Sequence, residues 1–133
     1  MTVSCVNPPE LPPLPGILSH AVAVPELGLV YTSGQVAWDK DGRLVGGDDL
    51  AAQFEQAYDN VEAALRAAGS SREKIVKETI YLVGYTTDRA ADLTGIIAAA
   101  RKGHPTPPAS TAVGVATLYA DGFLVEIEVV ATL

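Results

Sequence analysis

Three short stretches of this chain carry side chains that could do chemistry: Ser33-Gly34-Gln35, Pro108-Ala109-Ser110-Thr111 and Glu126-Ile127-Glu128. A carboxyl such as Glu126 can place a water molecule and pass a proton to a leaving nitrogen, and partial burial would lift its pKa towards a useful range. The plain alternative for Glu126 is a solvated or salt-bridged strand glutamate, and Glu128, two residues on along the same strand face, reads as structural. Ser110 and Thr111 offer hydroxyls. A serine nucleophile needs a base and an orienting partner. The two histidines are His20 and His104, six residues before Ser110, and no Gly-x-Ser-x-Gly elbow occurs. His104, between Gly103 and Pro105, reads as a loop residue favourably placed at a helix C-terminus. Gly34 either lets a backbone N–H approach a ligand oxygen or marks a strand kink. Two histidines without ligand spacing do not make a metal site, and Cys5, the only cysteine, permits neither an internal disulfide nor a thiolate cluster.

The elements that must position these residues follow from periodicity and punctuation. Residues 1–17 read as an extended, proline-rich lead-in lying along the body of the fold. Segments 19–24 and 29–33 read as a hairpin around Pro25-Glu26-Leu27-Gly28, and 38–45 carries a second turn at Asp39-Lys40-Asp41-Gly42. Leu50, Phe54, Ala57, Val61, Ala64, Leu65 and Ala68 share one face of a helix over 49–68, capped by Asp48 or Asp49 and ended by Gly69. A strand over 74–83 places Ile75, Lys77, Thr79, Tyr81 and Val83 on one face and Val76, Glu78, Ile80 and Leu82 on the other. A second helix, 88–102, has the stripe Leu93, Ile96, Ile97 and Ala100 and stops at Gly103 and Pro105. Strands over 111–118 and 123–132 finish the chain; in the last, Val125, Ile127 and Val129 oppose Leu124, Glu126, Glu128 and Val130.

The order β-β-(turn)-α-β-α-β-β implies an α+β domain spanning residues 1–133, with each helix crossing between parallel strands. Two helices cover one face of a sheet. The other face, with Glu126 and Glu128 beside apolar residues, reads as an oligomer interface with room for a ligand between subunits. Composition narrows the partners. A net charge of -7 and scattered basic residues disfavour nucleic acid, and Trp38 and Tyr31 read as packing groups. No apolar run reaches membrane-spanning length and no leader pattern opens the chain, so a soluble, cytoplasmic protein is the expectation.

Taken in order, Ser33-Gly34-Gln35, Gln53 through Asn60-Val61, Ala68-Gly69, Pro108-Ala109 and Glu126-Ile127-Glu128 resemble the Rid family, also called YjgF and historically L-PSP endoribonuclease. The resemblance runs from Pro15 to Thr132. It implies a chorismate-mutase-like fold, a mixed sheet with two helices on one face, and a homotrimer with small-molecule clefts between subunits. Its best-known subgroup hydrolyses reactive enamines and imines such as 2-aminoacrylate to 2-keto acids and ammonia, without metal or organic cofactor.

Carried over residue by residue, the resemblance makes Glu126 the catalytic candidate and Leu18, Ser33, Gly34, Ser110 and Thr111 the binding candidates. The chain departs from that subgroup at several of these positions. Ser110 stands where the subgroup has an arginine whose fork holds the substrate carboxylate. Leu18 replaces an aromatic, Ala112 a cysteine, and the asparagine expected near Asp92 or Leu93 is missing. A serine cannot replace a charged fork, so weak or absent 2-aminoacrylate deaminase activity is expected. The resemblance implies a hydrolase acting on a small carbonyl, imine, enamine or amide, or else a non-catalytic small-molecule-binding trimer; an RNA endonuclease has only the historical name behind it.

Overall fold

In a computed structural model describing residues 1–101 and 106–133, helix α1 (Leu50–Ala67) forms where the apolar stripe predicts it. The Asp49 carboxylate accepts from the N–H groups of Ala51 and Ala52, and Gly69 leaves the helix with φ of 87°. Its inward face buries Phe54, Ala57, Val61, Ala64 and Leu65. Complete burial of Phe54 or Leu65 contributes about 1.5–3 kcal/mol each.

That face packs on one seven-stranded sheet built from β1 (Ser4–Val6), β2 (Ala21–Val24), β3 (Leu29–Thr32), β4 (Gln35–Val36), β5 (Ile75–Val83), β6 (Ala109–Val115) and β7 (Val125–Thr132). The spatial order is β1-β2-β3-β7-β5-β6, with β4 also on β7. Strand β7 alternates strictly, burying Val125, Ile127, Val129 and Ala131 beneath the helices. The β2–β3 hairpin turns at Gly28, with φ of 66°. Helix α2 (Ala90–Ala100) lays Leu93, Ile96, Ile97 and Ala100 on the same core.

Several expectations change. The lead-in is not simply extended: it adds edge strand β1, turns at Pro8–Leu11 and Leu14–Ile17, and buries Leu11. The hairpin strand starts at Ala21, leaving His20 just before it. The 38–45 segment is a turn closed by one Trp38–Leu44 bridge, with Asp39 accepting from the N–H groups of Asp41 and Arg43. Only the crossover through α2 joins hydrogen-bonded parallel strands, β5 and β6. The crossover through α1 does not, because β7 inserts antiparallel between β3 and β5.

A register shift between Ile75 and Lys77 also changes the β5 faces: Ile75 is buried with Glu78, Ile80 and Leu82, while Val76 is 46% exposed. Strand β6 starts at Ala109 because Pro107 and Pro108 lack the N–H a ladder needs. Tyr31, read as packing, lies 43% exposed, paired with Val22 and Val130. The expected helix end at Lys102, Gly103 and Pro105 lies outside the described residues, as does His104.

Three buried amides tie the loops that carry the sheet's central residues. Gln53 donates to the carbonyls of Gly47 and Gly122 and accepts from the N–H of Leu124, just ahead of β7. Asn60 donates to the carbonyls of Val36 and Trp38, fixing β4 and the turn beyond it. Gln35 bridges the Trp38 indole and the His20 ring. Each amide replaces the water its backbone partners lose on burial.

Candidate functional site

Strands β4 and β7 bring Gly34 and Glu126 together, since Val36 pairs with Glu126 and Gln35 with Ile127. A Cβ built on Gly34 would lie 2.7 Å from Glu126 Cδ and 2.8 Å from its Cγ and Oε2. Glycine at position 34 thus admits the close approach of Glu126 rather than serving a positive φ. The Glu126 carboxyl is half-buried, and its pKa is raised, first by burial and then by the charge of Glu128. Glu128 does not share that chemistry: the Tyr81 hydroxyl donates to its Oε1, which supports a structural role.

The segment before Gly34 is pinned by a buried relay. Ser33 Oγ donates to the Ser19 carbonyl at 2.7 Å, and the Ser33 N–H donates to the His20 carbonyl at 3.0 Å. The Trp38 indole N–H can only donate, so Gln35 Oε1 must accept from it, at 3.1 Å. The Gln35 amide N–H₂ therefore faces His20 Nδ1, at 3.0 Å, and Nδ1 is the acceptor. The His20 proton then resides on Nε2, which donates to the Pro12 carbonyl at 2.7 Å. His20 is thus a neutral positioning group rather than a base for a serine. Leu18, half-buried next to Ser19, donates its N–H to the Leu14 carbonyl.

Ser110 lies elsewhere in the chain. It pairs with Glu78 in the parallel β5–β6 ladder, and its side chain points with Glu78 towards the helices, the face opposite Glu126. Its Oγ donates to Glu78 Oε2 at 2.6 Å. The same Oε2 receives Arg101 Nη2, and Oε1 receives the Tyr58 hydroxyl. Glu78 is fully buried, and Tyr58's pKa is pushed far up, by burial and then by the Glu78 charge. Thr111, one residue on, faces the other way and accepts from Lys77 Nζ at 3.0 Å.

Within one chain, then, Gly34 lies against Glu126 with Ser33 next to it, and Ser110 with Glu78 and Arg101 forms a second cluster. Sequence reasoning missed the second. Its signal was a glutamate in phase with Ile80 and Leu82 on the apolar face of β5, where a carboxylate needs partners. Among the described residues, no group of three potential His, Cys, Asp or Glu ligands converges to hold a metal, and no helix is long and apolar enough to cross a membrane.

Comparison with known proteins agrees with this architecture. The family model for endoribonuclease L-PSP matches residues 14–133. A RutC family protein of Aquifex aeolicus is 36% identical over 127 residues, 95% of this chain and 96% of its own length. The crystal structure of a Rid-family protein of unknown function from Yersinia pestis superposes with a TM-score of 0.84 at 34% identity, covering 99% of this chain and 100% of that one. The structure of E. coli TdcF with bound serine aligns with a TM-score of 0.82 at 25% identity, covering 98% of both chains. With nearly its whole length matched by the family model and its sheet and helices shared with solved members, the chain belongs to the endoribonuclease L-PSP family, the Rid/YjgF proteins.

Proposed function

We propose that this protein is a hydrolase or deaminase acting on a small imine, enamine, carbonyl or amide metabolite in clefts between the subunits of a homotrimer, with Glu126 as the catalytic acid–base group. The observation that carries this reading is the half-buried Glu126 carboxyl, its pKa raised, seated against a glycine that leaves no room for a side chain. On a protonated imine, the carboxylate takes one proton from water as the water oxygen bonds to the C=N carbon and the C=N pair moves to nitrogen, and it returns that proton to the amine nitrogen. It then takes the remaining hydroxyl proton as the C=O forms and the C–N bond breaks, and that proton leaves with the ammonia as ammonium. Leu18, Ser33 and Gly34 would shape this half of the cleft. Ser110 and Thr111 would come from a neighbouring subunit, since Ser110 faces away from Glu126 in its own chain. Exposed Tyr31 and Val113 on the helix-free face support burial against another copy. The serine in the TdcF structure supports a small polar ligand for this fold.

A second reading, a trimer that binds a small molecule without turnover, draws on Ser110, whose hydroxyl proton is committed to Glu78. RNA cleavage is disfavoured by the net charge of -7. The test is ammonia release from imines generated in place by an amino-acid oxidase or an amine oxidase. We expect turnover of neutral imines, slow turnover of 2-aminoacrylate, and a loss of about 10²-fold or more in Glu126→Gln. Turnover of none of these substrates, or a Glu126→Gln enzyme as fast as the parent, would overturn the catalytic reading. Sedimentation equilibrium tests the trimer.

A further inference from the structure

We infer that Glu78 sets the substrate class of this cleft by excluding carboxylates, an inference that rests on the proposed placement of Ser110 at the ligand. Two donors from different elements, the Ser110 hydroxyl on β6 and the Arg101 guanidinium just past α2, share one atom, Glu78 Oε2. The guanidinium nitrogen therefore lies within about 5 Å of Ser110 Oγ, two hydrogen-bond lengths. A positive charge stands beside Ser110, but it is neutralised by a carboxylate with no exposure to water.

Glu78 acts on the cleft in two ways. It cancels the Arg101 charge, so an anionic ligand group gains no net attraction there. It also accepts the hydrogen bond of the Ser110 hydroxyl, so Ser110 turns lone pairs outward and acts as an acceptor. An ionised carboxylate has only acceptors and would face the Ser110 lone pairs with no net positive charge behind them. An imine, amine or amide N–H finds a partner in the same place. The Tyr58 hydroxyl, committed to Oε1, holds the Glu78 carboxylate in this orientation. Lys77 does not replace the lost charge, because it lies on the other face, bonded to Thr111. The preferred substrate is therefore neutral and carries an N–H near the Ser110 end.

The inference predicts a gain of function. In Glu78→Gln the guanidinium, with 20% of its side chain already exposed, keeps its charge without a counter-ion, and Ser110 regains a proton to donate. The probes are 2-oxobutanoate and its neutral primary amide, titrated into the full-length protein by NMR. The parent should bind the amide at least about tenfold more tightly than the carboxylate. Glu78→Gln should tighten the carboxylate at least about tenfold, about 1.4 kcal/mol, and Glu78→Gln/Arg101→Gln should lose that gain. Should Glu78→Gln fail to fold, Glu78→Thr, with a β-branched side chain suited to a strand, carries the same expectation.

A parent that binds the carboxylate as tightly as the amide overturns the inference by itself. So does a Glu78 variant with no gain, a gain that survives removal of Arg101, or a parent that binds neither probe. Failure here leaves the Glu126→Gln ammonia assay unchanged, so the catalytic reading stands or falls separately.

Discussion

Replacing Gly34 by alanine separates catalytic placement from stability. The new Cβ would sit 2.7 Å from Glu126 Cδ, against about 3.5–4.0 Å for a comfortable carbon–carbon contact, so the carboxyl must retreat by about 1 Å. The backbone does not resist, since Gly34 lacks a positive φ. The obstructing atoms are the free end of a flexible side chain, and moving it off its preferred rotamer costs about 0.5–1.5 kcal/mol. Stiffening the unfolded chain returns about 0.4–1 kcal/mol. Gly34→Ala should therefore unfold in urea within about 1 kcal/mol of the parent. Its ammonia release should nonetheless fall about 10²-fold, the effect of an ångström of misplacement at a reacting group. Pushed towards water, Glu126 should also lose the burial that raises its pKa, and a carbon-detected NMR titration would show its midpoint falling towards 4.5. An unchanged Glu126 midpoint, or a loss of several kcal/mol in stability, would refute this account of why position 34 is glycine.

Glu126→Gln should change the pH dependence of stability. With the folded pKa above the unfolded value of 4.5, the native state binds more protons in the interval between them, so Glu126 costs stability as pH rises through that interval. Urea melts of the glutamine variant should lose this decline and gain relative to the parent at neutral pH. Arg101→Gln leaves a fully buried Glu78 without its counter-charge and should cost about 3–5 kcal/mol by urea melts. Glu78→Leu/Arg101→Met should recover most of that loss, because an apolar pair needs no desolvation of charge. His20→Ala should cost about 2–4 kcal/mol, since the Gln35 amide and the Pro12 carbonyl both lose a buried partner. In the parent, ¹⁵N NMR should show His20 with its proton on Nε2.

The sequence alone determined the parts governed by local periodicity and punctuation. Helix α1 with an aspartate cap at 48 or 49 and its Gly69 exit, the hairpin at Gly28, the alternation of β7 and the stripe of α2 all follow from neighbours within a few residues. The motifs Ser33-Gly34-Gln35 and Glu126-Ile127-Glu128 also singled out two residues, Gly34 and Glu126, that the β4–β7 pairing places against each other. What remained illegible depends on partners distant in sequence. That β7 inserts between β3 and β5 is a pairing choice made among whole strands, and no local pattern encodes it. The register shift near Ile75 reversed a face because one extra residue shifts the phase of everything before it. The lead-in lies on the body as its composition suggested, but the turns at Pro8–Leu11 and Leu14–Ile17 and the burial of Leu11 depend on contacts that composition does not specify. Above all, Glu78 looked like one polar residue on an apolar strand face. Only tertiary structure brings Tyr58 from α1, Arg101 from beyond α2 and Ser110 from β6 to its two oxygens, because a buried carboxylate has to find its donors wherever the fold supplies them.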